Sequence, residues 1–149
     1  MITINDITPK DIPDLLYMIR ALCAFHGDPC PRGLEDTQRQ FIDGPMHGLI
    51  ARNGRQPVGY AALQTRWRPT DKGDAVWVDH LYLIEEMRGR GIGTQLVTKA
   101  RDWAISRGAS RLCIGAHHDN VAAATAYRAM GWEKNTSPSG PTFRMILEE

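Results

Sequence analysis

The chain has little cysteine, no surplus of charge and no long apolar run, and each shortage closes off a class of protein. Its three cysteines, Cys23, Cys30 and Cys113, are an odd count without metal-site spacing, and Cys23 and Cys113 lie within apolar runs. They read as reduced thiols of a cytoplasmic protein. Lysine and arginine total 18 against 17 aspartates and glutamates, a formal charge of +1 with no basic stripe, which argues against nucleic acid as a partner. No apolar stretch approaches the ~18 residues of a membrane span, and the opening Met-Ile-Thr-Ile-Asn-Asp lacks a basic-then-apolar signal, so neither membrane association nor secretion is expected. Internal repeats, low-complexity segments and linkers are missing too, which leaves one domain over residues 1–149. A domain of this size buries roughly 68–70% of the surface its unfolded chain exposes and needs no staple.

The chain does have an orderly change of hydrophobic period. Ile2 to Ile7 alternates apolar and polar residues as a half-buried strand does. Thr8-Pro9-Lys10-Asp11 offers an N-cap, a proline for the first helical position and an acidic first turn, ahead of Ile12, Leu15, Leu16, Ile19, Leu22 and Cys23 at helical spacing. The breaker-rich stretch Gly27 to Gly33 is a loop, followed by a short helix from Leu34 to Ile42. Met46 to Arg52 and Pro57 to Trp67 form an antiparallel hairpin joined at Asn53-Gly54. Ala75 to Ile84 is a further strand, a third helix runs from Ile92 to Arg107, and Ser110 to Ala116 returns as a strand parallel to 75–84. A fourth helix spans Val121 to Met130, and Trp132 to Glu148 carries two closing strands broken at Ser137-Pro138-Ser139-Gly140. The fold class is α/β, a mixed and mostly antiparallel sheet flanked by about four helices.

The most specific stretch is Leu81-Tyr82-Leu83-Ile84 followed by Arg88-Gly89-Arg90-Gly91-Ile92-Gly93-Thr94, an apolar strand that feeds a glycine-rich basic turn and then a helix. Glycines let backbone N–H groups approach an anion without a Cβ in the way, and the helix start adds unpaired donors and the positive end of its dipole. The ligand carries phosphates. A P-loop needs Gly-Lys-Ser/Thr at the end of such a turn, and no lysine is there; a dinucleotide fingerprint needs its third glycine one residue later. What remains is Arg-x-x-Gly-x-Gly after an apolar strand. Downstream lies Asp119-Asn120-Val121-Ala122-Ala123-Ala124-Thr125-Ala126-Tyr127-Arg128-Ala129-Met130-Gly131-Trp132.

These two segments, in this order and separated by one helix and one strand, resemble the pyrophosphate loop and the Asn-x-x-Ala-x-x-Leu/Phe-Tyr-x-x-x-Gly-Phe segment of the GNAT superfamily of N-acetyltransferases. Ala126 stands where a larger apolar residue is usual, and Trp132 replaces phenylalanine. The resemblance implies a single GNAT domain whose parallel strand pair splays at the cofactor site, with acetyl-coenzyme A as co-substrate and no metal. It implies that Leu81 and Leu83 contact pantetheine and the thioester through their main chain, the Leu83 N–H as oxyanion donor, while their side chains face the core. Arg88, Gly89, Arg90, Gly91, Ile92, Gly93 and Thr94 would cradle the pyrophosphate. Asn120 would hydrogen-bond pantetheine or cap its helix, and Arg128 would reach the 3′-phosphate region. Tyr127 matches the family's general acid, and a phenol with a pKa near 10 is a competent donor to a thiolate whose conjugate acid lies near 8.5.

The base is open between Asp79, His80 and a water chain. Asp79 aligns with the position more often acidic in the family, whereas His80 has the better intrinsic pKa. Strand alternation places the two on opposite faces, so only one looks into the cleft. His117 and His118 lack a third ligand at suitable spacing and point opposite ways in extended chain, so they read as a substrate contact from one of the two, not a metal site. Phe25, His26 and Asp28 after the first helix, and Trp67 after the hairpin, are the candidates for binding a small-molecule amine; Asp28, Glu35 or Asp36 would attract a cationic one. The phrases Leu22 to Asp28 and Asp79 to Tyr82 resemble members that acetylate polyamines and related small amines. A protein or peptide acetyltransferase and a non-catalytic acyl-coenzyme A-binding module are the competing readings. An acetyltransferase acting on aminoacyl-tRNA predicts a basic surface that the net charge opposes. The family resemblance also implies a homodimer.

Overall fold

Thr8 starts the first helical stretch as its sequence suggests. The Thr8 N–H and hydroxyl both donate to the Asp11 carboxylate at 2.9 Å, closing a capping box over a single 3₁₀ turn, Pro9–Asp11. The chain then enters α1, Ile12–Phe25, in this computed structural model, which describes residues 1–115, 121–134 and 141–148. Helix α2 is Leu34–Phe41, α3 is Ile92–Ser106 and α4 is Val121–Ala129. The strands are β1 Ile2–Asp6, β2 Met46–Asn53, β3 Gln56–Arg66, β4 Ala75–Leu83 and β5 Arg111–Ile114. They form one sheet in the order β1-β2-β3-β4-β5, antiparallel up to β4 and parallel between β4 and β5. The hairpin turn expected at Asn53-Gly54 is present, with Gly54 at φ +62°.

The chain divides into two compact units, Met1–Gly115 and Ala116–Glu149. The first contains the sheet and α1 to α3, and the second contains α4. Among the described residues of the second unit, 132–134 and 141–148 carry no strand, so the two closing strands expected between Trp132 and Glu148 are not formed there. Phe143, Met145, Ile146 and Leu147 are all exposed. An alternating apolar pattern becomes a strand only when a neighbour completes its ladder, and these residues have none. The break expected at 137–140 lies outside the described residues.

Two apolar layers enclose the sheet of the first unit. On one face Leu49, Ala51, Ala61, Leu63, Val76 and Val78 pack with Ile92, Leu96, Ala100 and Ala104 of α3. On the other, Ile50, Tyr60 and Ala62 pack with Ile12, Leu15 and Met18 of α1. Full burial of side chains such as Leu15, Leu63 and Leu96 stabilises by about 1.5–3 kcal/mol each. Arg52 of β2 ties the start of α1 to the sheet, donating at 2.9 Å to both Asp11 and Asp14. Burial alone would raise the Asp11 carboxyl, but hydrogen bonds from the Thr8 N–H, Arg52 and the Thr8 hydroxyl overturn that and hold it below the ordinary carboxylate range.

Candidate active site

The site begins with an irregularity in β4. Pairing with β3 runs in register from Arg66↔Ala75 to Leu63↔Val78 and resumes with Ala62↔His80, leaving Asp79 as an extra residue. Such a bulge bends its strand and shifts the alternation by one. Before the bulge Val76 and Val78 face α3; after it Leu81 and Leu83 do. Asp79 and His80 therefore share the face toward α1. Asp79 lies 3.8 Å from Arg66, whose guanidinium sits 4.4 Å from the Trp77 ring centroid, and His80 meets Tyr60. The expectation that the two residues face opposite ways is overturned, because simple alternation holds only on an unbroken ladder.

The same irregularity marks where β4 leaves its parallel neighbour. Val78↔Ile114 is the last β4–β5 pair among the described residues, and from there to Leu83 β4 is paired with β3 alone among them. The Ile84 N–H bonds back to the Val58 carbonyl at 2.9 Å, so the main-chain groups of Leu81 and Leu83 turn away from β3. The Leu83 carbonyl there accepts a hydrogen bond from Arg88 Nε at 3.1 Å. Their side chains pack on the core under α3, as expected. Gly59, opposite Leu83, makes the approach of β3 possible, since a Cβ on it would lie 2.6 Å from the Tyr82 carbonyl oxygen.

Beyond β4 a short 3₁₀ turn, Glu85–Met87, drives the Met87 side chain into the core and anchors the glycine turn from below. Arg88, Gly89, Arg90 and Gly91 are exposed, with Gly89 at φ +76° and Gly91 at φ +82°. A residue with a Cβ held in this left-handed region is disfavoured by roughly 1–2 kcal/mol. Gly91 precedes α3, whose first turn has no side-chain cap and no acidic residue. The first intrahelical bond from the turn is Gln95 N–H to the Gly91 carbonyl, which leaves the N–H groups of Ile92, Gly93 and Thr94 ahead of it to an outside acceptor. The turn thus meets the needs of a phosphate group in conformation, donors and dipole. Ile92 itself is buried, while Thr94 is exposed and its carbonyl takes the Thr98 hydroxyl.

On the α1 side, the end of the helix meets this turn. The Arg88 guanidinium stands 5.5 Å from the Phe25 ring, which packs edge-on against His26 at 5.4 Å. Asp28 turns back by its N–H to the Cys23 carbonyl at 2.9 Å, and burial together with the neighbouring Cys30 pushes the Cys23 thiol above its ordinary pKa. All three cysteines are free, Cys113 among them. His80 lies within electrostatic reach of both Asp79 and His26. Burial lowers its pKa, the Asp79 carboxylate raises it and His26 lowers it again, so at pH 7 its imidazole is neutral. Phe25 is thus brought beside the turn and His26 beside β4, whereas Asp28 is tied to the end of α1. Trp67 joins neither: it is 80% exposed just past β3 and has no ring contact with the described residues.

In the second unit, Tyr127 sits on α4, half-buried, its ring 6.0 Å from that of Trp132. Burial raises the phenol above its ordinary pKa. Arg128 follows on the exposed side of the same helix. Asn120, His117 and His118 lie outside the described residues. Among the described residues no group of three or more His, Cys, Asp or Glu is placed to hold a metal, and no helix is long and apolar enough to cross a membrane. Sequence reasoning overlooked Tyr60, Arg66, Met87 and Gly59. Tyr60 had a signal: a tyrosine in the apolar run Val58 to Leu63 needs a partner for its hydroxyl.

Comparison with known proteins agrees with this geometry. Residues 15–132 match the model of the acetyltransferase (GNAT) family. An uncharacterised N-acetyltransferase of Methanocaldococcus jannaschii is 30% identical over 89 residues, 59% of this chain and 39% of that protein, so the match spans about two fifths of that relative. The thialysine N-epsilon-acetyltransferase of Mus musculus is 26% identical over 152 residues, covering 92% of this chain and 87% of the relative. Among solved structures, an aminoglycoside N-acetyltransferase in complex with CoA superposes with a TM-score of 0.83 at 16% identity, over 97% of this chain and 96% of the other, a likeness of fold. With its turn, its bulged fourth strand and this match over most of its length, the chain belongs to the GNAT acetyltransferase family, an acyltransferase with acetyl-coenzyme A as co-substrate.

Proposed function

We propose that the protein transfers the acetyl group of acetyl-coenzyme A to a primary amine of a small molecule, by direct attack within a ternary complex. The observation that carries this reading is the bulge at Asp79, which turns main-chain groups of Leu81 and Leu83 away from β3 while gathering Asp79 and His80 on the face bordered by the end of α1. The turn from Arg88 to Thr94 holds the pyrophosphate through its N–H groups and the α3 dipole, with Arg88 and Arg90 adding charge. The main chain of Leu81 and Leu83 takes pantetheine, and the Leu83 N–H polarises the thioester carbonyl. Asn120 and Arg128 serve pantetheine and the 3′-phosphate.

Tyr127 donates the proton that the departing thiolate needs; its raised pKa keeps it a phenol at working pH. Asp79 takes the amine's proton directly or through water. Phe25, His26 and Asp28 border the acceptor, and Trp67 is exposed and open to stacking on it. That a full-length relative carries the name of an acetyltransferase for the small amine thialysine supports this class of acceptor. Residues 1–149 act as one catalytic domain, in the cytoplasm, as a homodimer; the family resemblance supports the dimer.

The test is release of free coenzyme A thiol from acetyl-coenzyme A across a panel of diamines, amino acids, aminoglycosides and peptides. Amine-dependent release with small acceptors is expected. Release with peptides alone would replace the acceptor class, and tight binding of acetyl-coenzyme A without release to any amine would make the protein a binding module.

A further inference from the structure

Tyr60 is fully buried, and its hydroxyl makes one hydrogen bond with the described residues, at 3.1 Å to Nδ1 of His80. The direction of that bond follows from the surroundings. Burial pushes the Tyr60 phenol far above its ordinary pKa, with the Cys23 and Cys30 thiols and Tyr82 adding to the effect, so the group stays O–H. If Nδ1 carried a proton and donated it, the phenol hydrogen would have no acceptor among the described residues, since Tyr60 is buried in an apolar cluster with Ile12, Leu15, Met18, Ile50 and Ala62. A buried donor left in that state costs about 1–3 kcal/mol. The hydroxyl therefore donates, Nδ1 accepts, and the neutral ring carries its proton on Nε2. Nε2 has no hydrogen-bond partner among the described residues. The charged and titratable groups around the ring are Asp79 on its own strand, His26 at the end of α1 and Tyr60 on β3.

We propose that Tyr60 is a positioning residue: by holding Nδ1 as an acceptor it fixes His80 in the Nε2–H form, so that His80 meets the bound acceptor as a hydrogen-bond donor and not as the base. This rests on the acetyl-transfer reading above and divides the work of the two residues at the bulge. A lone pair for the amine's proton comes from Asp79 or a water beside it. The Nε2–H selects for an acceptor molecule with an oxygen or nitrogen lone pair near the reacting amine, such as a hydroxyl or a carboxylate.

Nitrogen-15 NMR of histidine-labelled protein at pH 8 tests the tautomer without turnover, with His80→Gln assigning the resonances. Protonated Nε2 and lone-pair Nδ1 are expected, and Tyr60→Phe should move both signals toward the average of the two forms. A proton on Nδ1 in the unaltered protein, or signals unmoved by Tyr60→Phe, would overturn the proposal. The pH dependence of kcat/KM is the second readout. His80→Gln retains an N–H donor and should keep the low-pH limb while kcat/KM falls by no more than about tenfold, the size of one hydrogen bond; His80→Ala should fall further. Disappearance of that limb in His80→Gln would make His80 the base and end the argument. A protein showing the Nε2–H form yet releasing no coenzyme A with any amine would count against acetyl transfer and leave the tautomer standing.

Discussion

The two faces of β4 are built from one run of nine residues, Ala75–Leu83, yet they do different things. Toward α3 the strand presents Val76, Val78, Leu81 and Leu83, all apolar and packed on Leu96 and its neighbours. Toward α1 it presents Trp77, Asp79, His80 and Tyr82, of which Asp79 meets Arg66, and His80 meets Tyr60 and lies within electrostatic reach of His26. The apolar face anchors the glycine turn through Met87 and α3, and the polar face collects the titratable groups Asp79 and His80. A single extra residue lets one strand keep the same side in the core before and after the break while gathering Asp79 and His80 on the other.

The largest effect expected concerns a group outside that strand. Tyr127→Phe should lower kcat by about 100-fold or more while leaving the affinity for acetyl-coenzyme A unchanged, as read by steady-state kinetics and calorimetry. Unchanged turnover would remove Tyr127 as the acid and leave proton transfer to water.

Next in size is a direct contrast between the faces. Leu96→Ala empties a fully buried position under the sheet and should reduce stability by about 2–5 kcal/mol in urea denaturation. Asp79→Asn removes a partly exposed carboxylate whose ion pair with Arg66 is long and contributes at most about 1 kcal/mol, so stability should barely change while kcat/KM falls. If Asp79→Asn destabilised as much as Leu96→Ala, the polar face would be a structural feature.

A smaller effect separates conformation from charge in the turn. Gly91→Ala forces a Cβ into φ +82°, a strain of roughly 1–2 kcal/mol, which should lower the melting temperature by a few degrees and, where the turn relaxes out of its binding conformation, weaken acetyl-coenzyme A binding by up to about tenfold. Open space around the glycine means the effect is conformational, so Gly91→Asn should be milder.

The smallest expected effect lies at the far end of the α1 face. Because the folded pKa of Asp11 is depressed, its stabilisation is present above the unfolded value near 3.9 and fades as pH falls through the folded value. Asp11→Asn should flatten the stability curve below about pH 4, and Arg52→Ala should shift the loss to higher pH. Acid titration followed by circular dichroism reads both.

Much of this was legible in the chain before folding. The capping box at Thr8, the hairpin at Asn53-Gly54 and the helix start after Gly91 are local features, each set by a few neighbouring residues with distinct backbone preferences. The relation of Asp79 to His80 was not legible, because a bulge arises from how two separate strands come into register, here between Leu63↔Val78 and Ala62↔His80. Tyr60 hid inside an apolar run for the same reason: its partner, His80, is 20 residues away.

The sequence by itself determined that a glycine turn leads from strand to helix and where the candidate acid Tyr127 and the candidate base Asp79 stand in the chain, since residue identity and local backbone preference belong to individual residues and their immediate neighbours. Only the tertiary structure decided which groups look the same way and which nitrogen of His80 is left open. Those depend on strand register and on burial of Tyr60, and both exist only once distant segments have packed together.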